Sequence, residues 1–202
     1  MMRKWKVILL LAAAYLLAMT SCATTTMNTV WKDKDYTGGK LEDVLVIGVA
    51  KNPTIRRSFE DQFVAQLKAR GITAFASYAI IPSEAKLDKE TVDVKVKDLE
   101  VDAVLVTRLV DTRKEKVAAP TQHYYRDWYN YYARTYEVVR SPAYYTEYEY
   151  EVISLETNLY DTKSGKLIYS GLSDTSIEDT VEAAIKSFIK VLIESLAKNE
   201  LV

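Results

Sequence analysis

The chain has 202 residues, with 27 Lys+Arg against 28 Asp+Glu, 15 Tyr, one Cys and one His. A single Cys excludes an internal disulfide framework and a Cys-rich zinc or iron–sulfur centre, and a single His excludes a multi-histidine metal cluster. A net charge of −1 supplies no basic field for nucleic acid, while 49% hydrophobic residues suffice for the core of one domain at this length.

Met1 to Ser21 has the pattern of a bacterial export leader. Arg3, Lys4 and Lys6 form a basic start, and Val7 to Ala18 is apolar throughout but shorter than the roughly 20 residues of a membrane span. Met19-Thr20-Ser21-Cys22 then resembles the lipobox of bacterial lipoproteins, with small residues directly before a cysteine. That resemblance implies a diacylglyceryl group on the Cys22 thiol and a further acyl chain, such as palmitate, on the amino group freed by cleavage. Two or three chains hold a protein firmly, because each buried CH₂ contributes about 0.8 kcal/mol. Ala23, rather than Asp, follows the cysteine, which by the same resemblance implies sorting to the outer membrane, facing the periplasm. Loss of residues 1–21 removes three positive charges and no negative ones, taking the net charge from −1 to −4. Residues 22–40 are rich in Thr, contain Gly38-Gly39 and show no periodicity, so they are expected to be a flexible tether to a domain at 41–202.

Val44 to Val49 is a continuous, β-branched apolar run, the pattern of a strand buried on both faces. After Asn52-Pro53, residues Ile55, Phe59, Phe63 and Leu67 recur every four positions and predict a helix ending at Gly71. Thr73 to Ile81 is the next strand, stopped by Pro82. Residues 88–101 alternate like a strand at Val92, Val94 and Val96 but also fit a helical face, and the need for a crossover between parallel strands favours helix. Ala103 to Val110 is a strand that runs into the charged stretch Asp111 to Lys116. A long insertion over about 113–145 follows.

Thr146 to Tyr160 is strand-like, Asp161 to Gly165 is a turn, and Lys166 to Ser173 is the return strand of a hairpin. Within the first of these strands the apolar parity changes, so either the strand extends past the core or a bulge falls near Val152. Ser176 and Asp179 resemble a capping box ahead of an amphipathic helix marked by Ile177, Val181, Ile185, Phe188, Leu192 and Leu196. The order β-α-β-α-β-β-β-α predicts a single α/β or α+β domain, a mixed sheet covered by helices with a Tyr-rich insertion.

Three pieces carry a resemblance to small bacterial lipoproteins of uncharacterised function: Arg56 to Glu60, Ala76-Ser77-Tyr78, and Tyr160 to Lys166. In topology the domain is similar to the periplasmic α/β domain of penicillin-binding-protein activator lipoproteins and curli-secretion channel lipoproteins. The shared pieces are helix faces and turns, and the resemblance implies a fold and no activity.

His123 lies in a Pro120-containing loop pattern with no Gly-x-Ser-x-Gly elbow elsewhere, which favours a solvated side chain over a catalytic one. Glu147, Glu149 and Glu151 alternate with tyrosines, placing three carboxylates on one strand face. Such a row suits a solvated, edge-protecting face better than the two unlike environments that acid/base work needs. Arg56 and Arg57 at a helix start are a candidate anion-binding pair. Between Tyr124 and Tyr150 lie ten tyrosines and Trp128, interleaved with Arg126, Arg134 and Arg140. Rigid rings with polar tips suit interfaces and sugar stacking, and Tyr124, Tyr125, Trp128, Tyr129, Tyr131, Tyr132 and Tyr136 are the candidate interaction set.

The expected role is a non-enzymatic binding or assembly module of the cell envelope, without metal or cofactor. It is attached to the membrane through lipid on Cys22, with an envelope protein as partner and no nucleic acid. The alternative is a peptidoglycan- or carbohydrate-directed protein, with Glu149 or Glu151 as its acid if it is active.

Overall fold

The computed structural model describes residues 24–81, 94, 96–120 and 145–202. Cys22, His123 and the ring cluster from Tyr124 to Tyr136 lie outside these residues.

Six strands build one mixed sheet: β1 (Thr25–Lys32), β2 (Asp43–Val49), β3 (Thr73–Ala76), β4 (Ala103–Pro120), β5 (Tyr145–Asp161) and β6 (Leu167–Ile177). Their order across the sheet is β1-β6-β5-β4-β2-β3. β2 runs parallel to β3 and β4, and the remaining pairs are antiparallel. Helices α1 (Pro53–Lys68) and α3 (Val181–Lys198) share a single core with one face of the sheet, and α2 (Ser77–Ile80) is one turn after β3. The expected single α+β domain is therefore the observed one.

The run Val44-Leu45-Val46 is at most 1% exposed, so β2 is buried on both faces, as its unbroken apolar sequence requires. In α1 the Asn52 side chain accepts hydrogen bonds from the Thr54 and Ile55 amides, and Pro53 sits where its missing N–H costs nothing. The helix stops before Gly71, whose φ of +81° is a left-handed conformation that favours glycine. Phe59, Phe63 and Leu67 form the buried stripe, and Phe59 meets Phe188 of α3 at 6.0 Å between ring centroids. The buried polar groups on this face bond one another. Thr107 and Thr157 meet at 2.9 Å, Tyr169 and Ser195 at 2.8 Å, and Thr25 contacts both Thr175 and Ser187.

The structure corrects four expectations and decides a fifth. Residues 25–32 are not tether but the edge strand β1, paired with β6 from Thr25–Thr175 to Lys32–Tyr169. Its alternation is obscured because the inward Thr25 is polar and the register shifts between Met27 and Thr29, which breaks the period. The strand predicted over 73–81 ends at Ala76, where Ser77 and the Tyr78 amide turn aside to bond Glu60. β4 does not stop at Val110 but continues to Pro120 alongside β5, so residues 113–120 and 145, expected in the insertion, belong to the sheet. The α3 cap is Thr180, which accepts from the Ala183 amide; Ser176 instead bonds Thr24 within the β1–β6 pairing. The parity change in β5 is an extension past the core, since its register with β6 is continuous from Glu151 to Leu159, while the irregularity lies across from it, between Leu109 and Asp111 on β4. At 88–101 the backbone is helical at Val94 and 96–98, and the rest of that segment lies outside the described residues.

One polar clamp crosses three strands on the face away from α1 and α3. Arg113 of β4 donates to Asp174 of β6 at 2.7 Å and to Ser154 of β5 at 3.1 Å, and Ser154 donates to Asp174 at 2.6 Å. The Arg113 guanidinium, then the Ser154 hydroxyl, hold the Asp174 carboxyl well below the usual carboxylate range. A carboxylate so depressed adds stability above its unfolded pKa, about 3.9, and loses it as pH falls. Between about pH 5 and pH 2 the melting temperature of the wild type should therefore fall more steeply than that of Asp174→Asn, the two curves converging at the acid end.

Candidate functional site

The carboxyl end of β2 and the part of β4 beside and just past it, Thr107 to Thr112, open into a groove of about 980 Å³, at the upper end of the range for small-molecule sites. Its floor is Gly48 and Thr107, and its walls are Phe59 from α1, Ile185 and Phe188 from α3, and Ile153 and Leu155 from β5. The amino ends of α1 and α3 flank it. In sheets of this kind the carboxyl edge of parallel strands is where the connections diverge and leave a crevice.

The rim is unusual for a protein surface. Val49, Ile55, Leu109, Val110 and Val181 all line the groove, and each keeps 38–54% of its surface exposed. Ile55, expected on the buried stripe of α1, is one of them. Scattered exposed aliphatics are ordinary, whereas five around one opening form an apolar patch of the kind that marks a contact surface. The polar residues of the lining are Lys51, Asn52 and Arg56 at the start of α1 and Thr107, Arg108, Asp111 and Thr112 on β4. Sequence reasoning missed this site. The signal for it was the apolar pair Leu109-Val110, which falls just beyond the point where β2 ends and the two helices cease to cover β4.

A buried carboxylate fixes the groove from beneath. Glu60 is fully buried. Its Oε1 accepts from the Gly48 amide at 2.9 Å, the Arg56 Nε at 2.9 Å and the Ser77 hydroxyl at 2.8 Å, and its Oε2 accepts from the Tyr78 amide at 2.9 Å. Arg56 also donates through Nη2 to Ser77 at 2.8 Å. Gly48 is required here, because a Cβ would stand 2.7 Å from the Phe59 ring. The candidate anion pair is thus divided: Arg56 lines the groove with its fork committed to Glu60 and Ser77, while Arg57 stacks over the Tyr78 ring at 5.5 Å.

Beyond the groove β4 and β5 continue as a two-stranded arm, from Glu115–Tyr150 to Pro120–Tyr145, past the last β6 pairing at Glu151–Ile177. Register places Lys114 and Lys116 on the same face as Glu149 and Glu151, and Tyr148 and Tyr150 on the other. Lys114 and Glu149 pair at 2.7 Å, and this hydrogen bond lowers the Glu149 pKa and raises that of Lys114. The glutamate row is therefore one side of a Lys–Glu ladder. Among the described residues no three His, Cys, Asp or Glu side chains converge to hold a metal ion, and no helix is long and apolar enough to cross a membrane.

No protein-family model matches the chain, and no curated protein matches it. Among solved structures, the fold is similar to the PelC dodecamer from Paraburkholderia phytofirmans, at 14% identity and a TM-score of 0.46, covering 89% of this chain and 99% of that one. It is also similar to lipoprotein GNA1162 from Neisseria meningitidis, at 12% identity and a TM-score of 0.43, covering 77% of this chain and 98% of that one. Likenesses this loose carry no function across.

Removing one partner of a buried ion pair costs about 3–5 kcal/mol. Glu60→Ala should lower unfolding free energy by about that much in denaturant titration, and Gly48→Ala by about 1–3 kcal/mol through overpacking against Phe59.

Proposed function

We propose that this chain is a lipid-anchored module of the bacterial envelope, held at the outer membrane through Cys22, that binds its partner non-enzymatically through the groove between α1 and α3. The observation that carries the reading is the apolar rim: Val49, Ile55, Leu109, Val110 and Val181 stand exposed around one opening. Water around such a patch is released when a complementary surface covers it, and the hydrophobic gain is about 25 cal/mol per Å². The polar groups beneath are already bonded to one another, so the groove offers shape and apolar area rather than a reactive group. The lipobox-like Met19 to Cys22 supports the anchor. The ring cluster from Tyr124 to Tyr136 is a second contact surface in this reading.

Two measurements test it. After export, Cys22→Ala should fractionate with soluble periplasmic protein while the wild type sediments with membranes; sedimentation of both would refute the anchor. A photo-crosslinking residue in place of Leu109 should give a discrete adduct in cells, and Val181→Glu should abolish that adduct without lowering the melting temperature.

A further inference from the structure

We infer that the partner covering the groove is the surface of the anchoring membrane itself. This names the occupant of the site proposed above and rests on the lipid at Cys22. The argument is one of length. β1 begins at Thr25, and Thr24 is already fixed beside β6: its carbonyl accepts from the Ser176 amide at 2.9 Å and its amide donates to the Ser176 hydroxyl at 3.2 Å. The next residue of β6, Ile177, lines the groove. Three residues of chain, Cys22 to Thr25, span at most about 11 Å. The end of the sheet at which the groove opens is therefore the end tied to the acylated cysteine, with the start of β1 within about that distance of it and β4 about 14 Å further across, while the Asp161–Gly165 turn lies at the opposite end.

Chemistry matches the geometry. The end tied to the lipid is the end that carries the exposed aliphatic rim, with the exposed Lys51 and Asp111 among it. Aliphatic side chains at a bilayer surface gain burial, and a lysine beside them meets anionic headgroups, an attraction of about 1 kcal/mol per cation near the surface. The arm agrees. Thr25 lies level with Ile153 through Thr175, and the eight residues from Ile153 back to Tyr145 project about 27 Å further in the same direction, beyond the reach of the anchor. A ribbon that carries a Lys–Glu ladder on one face is excluded from hydrocarbon. It therefore lies along the headgroup layer, where Tyr148, 59% exposed, is a favourable residue.

The test uses the full mature lipidated protein in vesicles of phosphatidylethanolamine and phosphatidylglycerol that contain a nitroxide-labelled phospholipid. With Cys22 acylated, one engineered thiol takes an environment-sensitive fluorophore: Val110→Cys or Val49→Cys at the rim, Lys163→Cys at the far turn, where Lys163 is 82% exposed. Both rim labels should be quenched severalfold more than the label at position 163, and raising salt should weaken the difference. Equal quenching at rim and turn, in protein that floats with the vesicles, overturns the docking and leaves the anchor standing. Rim labels that become buried only as protein concentration rises, without quenching, overturn it in favour of a second copy of the chain. Protein that does not float removes the anchor and the docking together.

Discussion

A carboxylate with no access to water organises this domain. Glu60 sits where β2, α1 and the turn after β3 meet, and its two oxygens draw one donor from β2, one from α1 in the Arg56 guanidinium, and two from the turn. A buried charge is tolerable only when it is fully bonded and paired, so the three elements are fixed relative to one another with little freedom. The end of β2 is thereby held against α1 at the closest approach a glycine allows, and Ser77 and Tyr78 are turned away from β3. Everything that shapes the floor of the groove, from Gly48 to Phe59, follows from satisfying that one group.

The groove itself is a consequence of unequal lengths. β2 ends at Val49, level with Arg108 of β4, whereas β4 and β5 run on. The helices start at this edge and run away from it over the sheet, so nothing in α1 or α3 covers Leu109 and Val110. The extra residue of β4 between Leu109 and Asp111 falls at this boundary and re-aims the strand as it leaves the core. On the near side of the boundary the helix-facing row is Leu159, Thr157 and Leu155; beyond it the same row becomes Glu151 and Glu149 against lysines. One strand thus serves as core on one half of its length and as a charged ribbon on the other.

Most of the architecture was legible because burial imposes period. The unbroken Val44–Val49, the four-residue spacing of Phe59, Phe63 and Leu67, and the closing helix from Ile185 to Leu196 all declare their surroundings. What was illegible lacks that imprint. β1 is an edge strand whose inward positions are Thr25 and Met27, satisfied by hydroxyl contacts and the gap above Gly171, so its composition looks like linker. The far half of β4 carries charge on both faces and looks like loop. Arg56 and Glu60 were visible as residues of one predicted helix, but the Gly48 amide and Ser77 that complete their network come from elsewhere in the chain. The groove was illegible for a different reason: a missing neighbour leaves no mark on the residues that lack it.

The pairing of β1 with β6 also sets when the fold can form. Thr25 bonds Thr175 across 150 positions, and Ser187, its other partner, lies further on still. The strand nearest the beginning of the chain has no place to dock until nearly the last of it has emerged, and such long-range closure is slow as well as late. A growing chain therefore keeps β1, the first of its described strands, unpaired until late in synthesis.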